Sequence, residues 1–379
     1  MLLDISIKKS IIKIRGDFVL SQLLKERNLP SLKSREEMKD IMQREVYGYL
    51  PKVPFSFSVS EPTVIEERYC CGEVAFSFVE MTINIGEKSH TFRIDRLLHT
   101  DGKKRPLIIV NNFHPMEKSH YFPREEMSEY DVDFLMFCYT DISSDDGDFS
   151  TGLAPMLLPE GQKDDTTCGK IGIWAWAAMR VLDYALTLPS TDAENVMISG
   201  HSRLGKTALY TAMLDERFKF AFSNAAGCAG DSIAHGSTGK MKEHLDRHLR
   251  QRGKNISDIV ENFPYWFCKN YFKYTKENQS DIFDQHYILA SIAPRFVIIG
   301  SCDLDFWADP ESQQLCCLAA SPAWEKEGLK GIDDAEDYLP TGEAMLDGRI
   351  GYFKIHSKHF FSRHSWKRCI EFIEKHEKI

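Results

Sequence analysis

The stretch that decides the fold is NVMISGHSRLGKTALY, at residues 195–210. Its apolar run VMIS has the composition of a buried strand, and the segment from Leu204 onwards has that of a helix. Gly200 permits a tight turn between them, and Ser202 stands at the corner, where its hydroxyl is exposed at a helix N-terminus, an arrangement typical of a nucleophile. The second glycine of the general G-x-S-x-G pattern is displaced, because Leu204 occupies its place and Gly205 follows. The pattern alone is therefore equally compatible with an ordinary strand-to-helix turn.

Apolar runs on both sides of this corner predict an α/β fold. They show no alternation, which indicates strands that are buried on both faces of a parallel sheet. The runs are LIIV (107–110), FLMFCY (134–139), VMIS (196–199) and FVIIG (296–300). A helical pattern covers residues 170–187, KIGIWAWAAMRVLDYALT, between two of these runs. Strands that alternate with helices predict a three-layer sandwich with a mostly parallel central sheet.

The segments outside this α/β pattern complete the predicted organisation. Residues 35–49 have the pattern of an amphipathic helix, and residues 55–98 alternate as short β runs, so about the first 100 residues form a helix and an antiparallel lead-in. Residues 231–285 are rich in lysine, asparagine and aromatic side chains, and we interpret them as an inserted segment. We predict a single catalytic domain over residues 1–379.

Composition restricts the partners of the protein. The chain has 379 residues, 43% of them hydrophobic, and a net charge of −9, which argues against a nucleic-acid partner. No apolar run approaches the length of a membrane span, so no membrane partner is expected. Ten scattered cysteines without a C-x-x-C motif favour reduced thiols, and charged residues interrupt the first twenty residues. These features predict a cytoplasmic protein, with a removed leader as the alternative.

Two further segments supply residues that a nucleophilic serine requires. FVIIGSCDLDFWADP ends a predicted strand and presents Asp303, Asp305 and Asp309, and GYFKIHSKHFFSRHSW presents His356, His359 and His364. The order serine, acid, histidine is that of α/β-hydrolases, and strand ends of a parallel sheet meet at one edge. Loop and capping roles are the alternative for each of these side chains.

The segment GHSRLGKTAL at residues 200–209 resembles the G-[CH]-S-R-x-G-K segment of glucuronoyl esterases, carbohydrate esterase family 15. The resemblance covers roughly residues 100–370 and accounts for the displaced glycine. Further similar segments are IGIWAWAAMRVLDY, RFKFAFSNAAGCAG, FPYWFCKNY, DQHYILASIAPR and DFWADP. The resemblance implies the α/β-hydrolase fold and the hydrolysis of a carboxylic ester, without a cofactor or a metal.

Carried over by position, the resemblance implies a Ser-His-Asp triad. Ser202 is then the nucleophile, His359 the base and Arg203 a donor to the oxyanion. Bacterial members can place the acid in the D-x-W-A-D-P segment, which indicates Asp305, and Asp303 is the alternative. The other acid position known in the family falls at residues 224–225, Asn-Ala, which carry no acid.

The resemblance also implies a pocket for a uronate sugar. It assigns Lys206 to sugar hydroxyls and Trp307 to the apolar wall beside a pyranose ring. Where relatives often have G-E in the inserted segment, this chain has Gly239-Lys240, with Glu243 nearby in a shifted register. The predicted substrate is an ester of glucuronic or 4-O-methylglucuronic acid on glucuronoxylan fragments. A carbohydrate acetylesterase and a non-catalytic hydrolase-fold binding protein are the alternatives.

Overall fold

The computed structural model describes residues 20–69, 73–159, 163–236, 253–335 and 337–378. Its strands belong to one sheet. They are β1 (Ser56–Val59), β2 (Thr63–Tyr69), β3 (Val74–Ile85), β4 (Lys88–His99), β5 (Arg105–Asn112), β6 (Asp133–Cys138), β7 (Thr191–His201), β8 (Phe220–Asn224), β9 (Phe296–Cys302), β10 (Ala344–Met345) and β11 (Ile350–Ile355).

The sheet has the order β1-β3-β4-β6-β5-β7-β8-β9-β11-β10, and β2 also pairs with β3. The six strands from β6 to β11 in this order are mutually parallel. The pairs among β1 to β4, the β4–β6 pair and the β10–β11 pair are antiparallel. The predicted parallel centre with an antiparallel lead-in is therefore confirmed.

Helices cover both faces of the sheet. Within the described residues the α-helices are α1 (Leu20–Glu26), α2 (Arg35–Met42), α3 (Arg124–Met127), α4 (Tyr139–Ile142), α5 (Ala154–Leu157), α6 (Lys170–Ala185), α7 (Arg203–Leu214), α8 (Ile256–Asn262), α9 (His286–Ala290), α10 (Pro310–Ala320), α11 (Pro322–Glu325) and α12 (Arg363–His376). The helix expected at residues 35–49 is shorter, because Gln43–Tyr47 widen into a π-helical turn that ends at Gly48, whose φ is 83°. None of these helices is both long enough and apolar enough to cross a membrane.

The central strands separate two hydrophobic cores. In β5, Leu107 and Ile109 belong to the core that also contains side chains of α6, α7 and α10. Ile108 and Val110 belong to the opposite core, which α12 covers. Successive side chains of a strand point to opposite faces, so an uninterrupted apolar run is what a strand between two helical layers requires.

The residues expected to be inserted, 231–285, lie between β8 and β9. Of these, the structure describes 231–236 and 253–285, which contain α8 and two 3₁₀ turns, Pro264–Trp266 and Lys269–Tyr274. Asn255 caps α8, because its side chain accepts a hydrogen bond from the backbone N–H of Asp258, and the Asp258 carboxylate accepts from the backbone N–H of Asn255. This reciprocal cap fixes the residue at which α8 begins.

Candidate active site

The serine corner has a strained backbone. Ser202 follows the last residue of β7 and precedes α7, with φ 58° and ψ −124°, a region that residues other than glycine rarely adopt. A Cβ atom on Gly200 would lie 2.2 Å from the carbonyl oxygen of Leu204, so only glycine permits this crossing. A Cβ atom on Gly205 would lie 2.8 Å from the Ser223 hydroxyl of β8. The second glycine is needed where α7 meets the neighbouring strand, which explains its displacement from the general pattern.

A buried carboxylate orients the histidine that follows β11. The Nδ1 atom of His359 lies 2.5 Å from the Oδ2 atom of Asp305, which follows β9. The Asp305 side chain is 4% exposed, whereas that of His359 is 45% exposed. A hydrogen bond from Nδ1–H to the carboxylate leaves Nε2 of His359 free to accept a proton.

The alternative acid, Asp303, is paired with a different histidine. Its Oδ2 atom lies 2.8 Å from Nδ1 of His356, and its other oxygen accepts the backbone N–H of Ser357. The His356 side chain is 74% exposed. His364 is the second residue of α12 and shares a separate surface cavity with His356. The geometry thus brings Asp305, and not Asp303, to His359.

Beneath His359 lies a second imidazole, that of His201. The ring centroids are 4.5 Å apart, and burial lowers the pKa of His201 well below its ordinary value, so this ring is neutral. The side-chain amide nitrogen and the backbone carbonyl oxygen of Asn224 lie 2.9 Å and 3.1 Å from Nδ1 of His201, and the amide also donates to the carbonyl of Phe360 at 3.2 Å. Asn224, at the position where the family can carry its acid, therefore supports the loop that holds His359.

Arg203 is held in place by an ion pair that was not predicted from the sequence. The guanidinium donates to Oδ2 of Asp145, in the loop after α4. The same carboxylate accepts from the Trp266 indole at 2.7 Å and from the Tyr139 hydroxyl at 2.9 Å. The guanidinium carbon also lies 4.7 Å from the Trp266 ring centroid. FPYWFCKNY contributed to the resemblance, but nothing in it indicated that Trp266 meets Asp145.

Six of the eight predicted site residues line one cavity of about 520 Å³, a volume typical of small-molecule sites. They are Ser202, Arg203, Lys206, Asp305, Trp307 and His359. The remaining two, Lys240 and Glu243, lie outside the described residues. One edge of the sheet thus gathers the serine, the histidine–aspartate pair and the arginine.

Lys206 and Trp307 differ in their surroundings within this cavity. The Lys206 ammonium group is buried and donates to the carbonyl oxygens of Ala226 and, at 2.5 Å, of Cys228. Burial lowers the pKa of Lys206 to about 8. The Trp307 side chain, in contrast, is 58% exposed. Lys206 thus supports the loop after β8 while it faces the cavity, and Trp307 offers an open aromatic surface.

Lys254 also lines the cavity, and the sequence analysis missed it. Its ammonium nitrogen lies 4.4 Å from the Trp307 ring centroid and 5.3 Å from that of Phe263. The sequence carried no specific signal for it, because Gly253-Lys254 is one of five Gly-Lys dipeptides in the chain. Among the described residues, no group of three or more histidine, cysteine, aspartate or glutamate side chains could hold a metal ion.

Comparison with known proteins identifies the family. The family model described as "Glucuronyl esterase, fungi" matches residues 83–328, well over half of the chain. The chain belongs to the glucuronyl esterase family. The resemblance carried by the GHSRLGKTAL segment is therefore confirmed.

Individual relatives agree with this family. A carbohydrate esterase from an unknown prokaryotic organism is 32% identical over 208 residues, 55% of this chain and 44% of that protein. A 4-O-methyl-glucuronoyl methylesterase of Hypocrea jecorina (strain QM6a) is 25% identical over 313 residues, 81% of this chain and 59% of that protein. The chain thus spans about half the length of these curated relatives. The solved glucuronoyl esterase from Solibacter usitatus is 26% identical with a TM-score of 0.78, covering 91% of this chain and 92% of that one. These neighbours confirm the α/β-hydrolase fold.

Proposed function

We propose that this protein is a serine esterase that hydrolyses esters of glucuronic or 4-O-methylglucuronic acid in xylan-type carbohydrate through an acyl-enzyme. The observation that carries the proposal is that Ser202, on its strained corner, shares a cavity with the Asp305–His359 pair. The name 4-O-methyl-glucuronoyl methylesterase, borne by the Hypocrea jecorina relative, supports the choice of acid. Fragments of glucuronoxylan are the proposed carbohydrate.

In the acylation step, Oγ of Ser202 attacks the ester carbonyl carbon while Nε2 of His359 takes the hydroxyl proton. Asp305 holds Nδ1–H of His359 and stabilises the imidazolium that forms. The tetrahedral intermediate collapses as the imidazolium returns the proton to the departing alcohol oxygen. Water then attacks the acyl-enzyme by the same proton transfers and releases the free uronic acid.

The developing oxyanion is stabilised by Arg203 and by the N-terminus of α7. Asp145 accepts from Nη1 of the guanidinium, and Arg203 lines the cavity, so N–H groups on its terminal nitrogens remain for a ligand. The twelve-residue helix adds the positive end of its dipole beside Ser202. A preorganised donor of this kind contributes about 3–4 kcal/mol to transition-state stabilisation.

The uronate ring is held by Lys206 and Trp307. An ammonium has three N–H donors, and two of those on Lys206 go to the carbonyls of Ala226 and Cys228. The third is available to a sugar hydroxyl. The exposed indole of Trp307 supplies an apolar surface for the C–H face of the pyranose.

The proposal is tested by the rate of hydrolysis of benzyl glucuronate and of an acetylated xylo-oligosaccharide. We expect the first ester to be the better substrate, because its sugar lies on the acyl side, where Lys206 and Trp307 are placed. Ser202→Ala should remove nearly all activity while the melting temperature does not fall. Preference for the acetyl ester would favour a carbohydrate acetylesterase instead, and absence of activity on both esters would favour a binding protein.

A further inference from the structure

Lys254 is fixed at the wall of the cavity by its backbone. The N–H of Gly253 donates to the carbonyl of Phe306 at 2.5 Å, and the N–H of Lys254 donates to that of Trp307 at 3.1 Å. Directly after it, Asn255 caps α8. The main chain of Lys254 is thus tied on one side to the loop that contains Asp305 and on the other side to a helix. The fold therefore places the root of the Lys254 side chain at the cavity, and its ammonium group lies against the rings of Trp307 and Phe263.

The other buried or half-buried cations of the cavity are already engaged. Arg203 pairs with Asp145, and Lys206 donates to two backbone carbonyls. Asp305, the carboxylate that lines the cavity, is paired with His359. Each of these three groups thus already has a charged or polar partner within the protein, and Arg203 and Lys206 offer only their remaining N–H groups to a ligand.

Lys254 differs from these groups. Within the described part of the chain its ammonium group has aromatic faces around it but no ion-pair partner, and Asp258 and Asp305 act on it only through longer-range attraction. Burial lowers the pKa of Lys254, which means that its charge has lost part of its hydration. A half-buried ammonium without an anion gains more from an anionic ligand than a fully hydrated lysine does.

We infer that Lys254 binds an anionic substituent of the substrate, so that the enzyme prefers acidic oligosaccharide esters over neutral ones. This inference rests on the proposed function and specifies its substrate class. The shared chemistry is a sugar unit that carries a free carboxylate or a sulfate near the ester to be cleaved. The scissile ester itself is uncharged, so the anion belongs to another position of the substrate.

The arrangement of Trp307 is compatible with such a ligand. Lys254 covers one face of the indole, and the side chain remains 58% exposed. A sugar ring can therefore lie against the open part of the indole while its charged substituent reaches the ammonium at the edge. The indole of Trp307 and the ammonium group of Lys254 can then contact the same ligand at two different places.

The test measures binding and hydrolysis separately with three probes. Each probe is a methyl glucuronate ester joined to a second sugar unit, which carries a free carboxylate, a neutral hydroxymethyl group or a sulfate ester. Dissociation constants are measured by calorimetry on Ser202→Ala, which is expected to bind without turnover. We expect the carboxylate probe to bind about tenfold more tightly than the neutral probe, the scale of a charge-assisted hydrogen bond. The preference should weaken as salt is added.

Lys254→Met in the Ser202→Ala background should abolish this preference and leave the affinity for the neutral probe within about twofold, because methionine keeps the apolar stem without the charge. Lys254→Arg should retain it. The matched control is Lys276→Met, which removes a lysine of the same segment that is 89% exposed and outside the cavity. This variant should bind all three probes as before.

Equal affinity for the carboxylate and neutral probes, or a preference that survives Lys254→Met, would overturn the inference. If the sulfate probe also binds more tightly than the neutral probe, that result would support the inference and show that the site accepts anions in general. If the wild-type protein hydrolyses none of the esters, the proposed function fails. The binding ratio still decides the role of Lys254, so the two failures are distinguishable.

Discussion

Replacing Asp305 by asparagine should reduce kcat by about a thousandfold or more. The carboxylate lies 2.5 Å from His359 Nδ1 in a nearly buried position, so it directly faces the positive charge that forms on the imidazole. Two unit charges separated by about 4 Å attract each other by about 4 kcal/mol at an effective dielectric constant near 20, equivalent to about three orders of magnitude in rate. Loss of the correct tautomer adds to this effect, and the combined loss in a comparable triad is about 10⁴-fold.

The assay is the initial rate of benzyl glucuronate hydrolysis, with melting temperatures as the check on folding. Asp303→Asn is the matched control: it makes the same chemical change two residues away, on a carboxylate paired with the exposed His356. We expect its kcat to stay within about twofold of wild type, since an exposed pair of this kind contributes little. Equal losses in the two variants, or a larger loss in Asp303→Asn, would refute the assignment of the acid.

Substitutions at three further site residues, with His364→Ala as a control, test the other roles by steady-state kinetics. His359→Ala should lower kcat by about 10⁴-fold, whereas His364→Ala should leave it nearly unchanged. The reverse result would assign the role of general base to His364 instead of His359. Arg203→Ala should lower kcat by about 10²–10³-fold with little change in KM, and Arg203→Lys should restore part of the loss. A rise in KM alone would make Arg203 a binding residue. Lys206→Ala should raise KM for glucuronate esters and spare acetate esters, and equal effects on both would assign Lys206 to the fold.

The pH dependence of stability supplies a further test of Lys206. Burial lowers the pKa of this lysine to about 8 in the folded protein, from an ordinary value of 10.5. Between these two values the unfolded chain binds the proton and the folded protein does not, so the contribution of Lys206 to stability rises with pH. The free energy of unfolding of the wild type, measured relative to Lys206→Met, should therefore increase from pH 8 to pH 10. A constant difference would contradict the burial of a charged Lys206.

The sequence predicted the site to the extent that strand ends determine it. Ser202, Asp305 and His359 each follow a parallel strand, and the carboxyl ends of such strands meet at one edge. The choice between Asp303 and Asp305 could not be made in this way, because both follow β9 by a few residues. Asp303 pairs with His356, and Asp305 pairs with His359. Only the three-dimensional course of the loops after β9 and β11 decides which carboxylate meets which histidine.

The contacts that hold the site residues in place could not be predicted from the sequence, and the reason is a different one. Asp145 and Trp266 are 121 residues apart, and neither lies in a segment with a catalytic pattern. Their meeting depends on how the loop after α4 and the 3₁₀ turn Pro264–Trp266 pack around Arg203. Lys254 was missed because, within the inserted segment, only Lys240 and Glu243 were considered as sugar contacts, and a lysine after a glycine carries no functional pattern of its own.

The distribution of charge in the cavity separates catalysis from selectivity. Arg203 is tied to the loop after α4, His359 to the loop after β9, and Lys206 to the loop after β8. Each of these contacts joins two different elements, so the catalytic geometry and the assembly of the sheet edge depend on one another. Among the buried and half-buried cavity cations of the described residues, Lys254 alone lacks such a polar partner, and we expect a change there to alter which sugars are bound while the catalytic geometry stays intact.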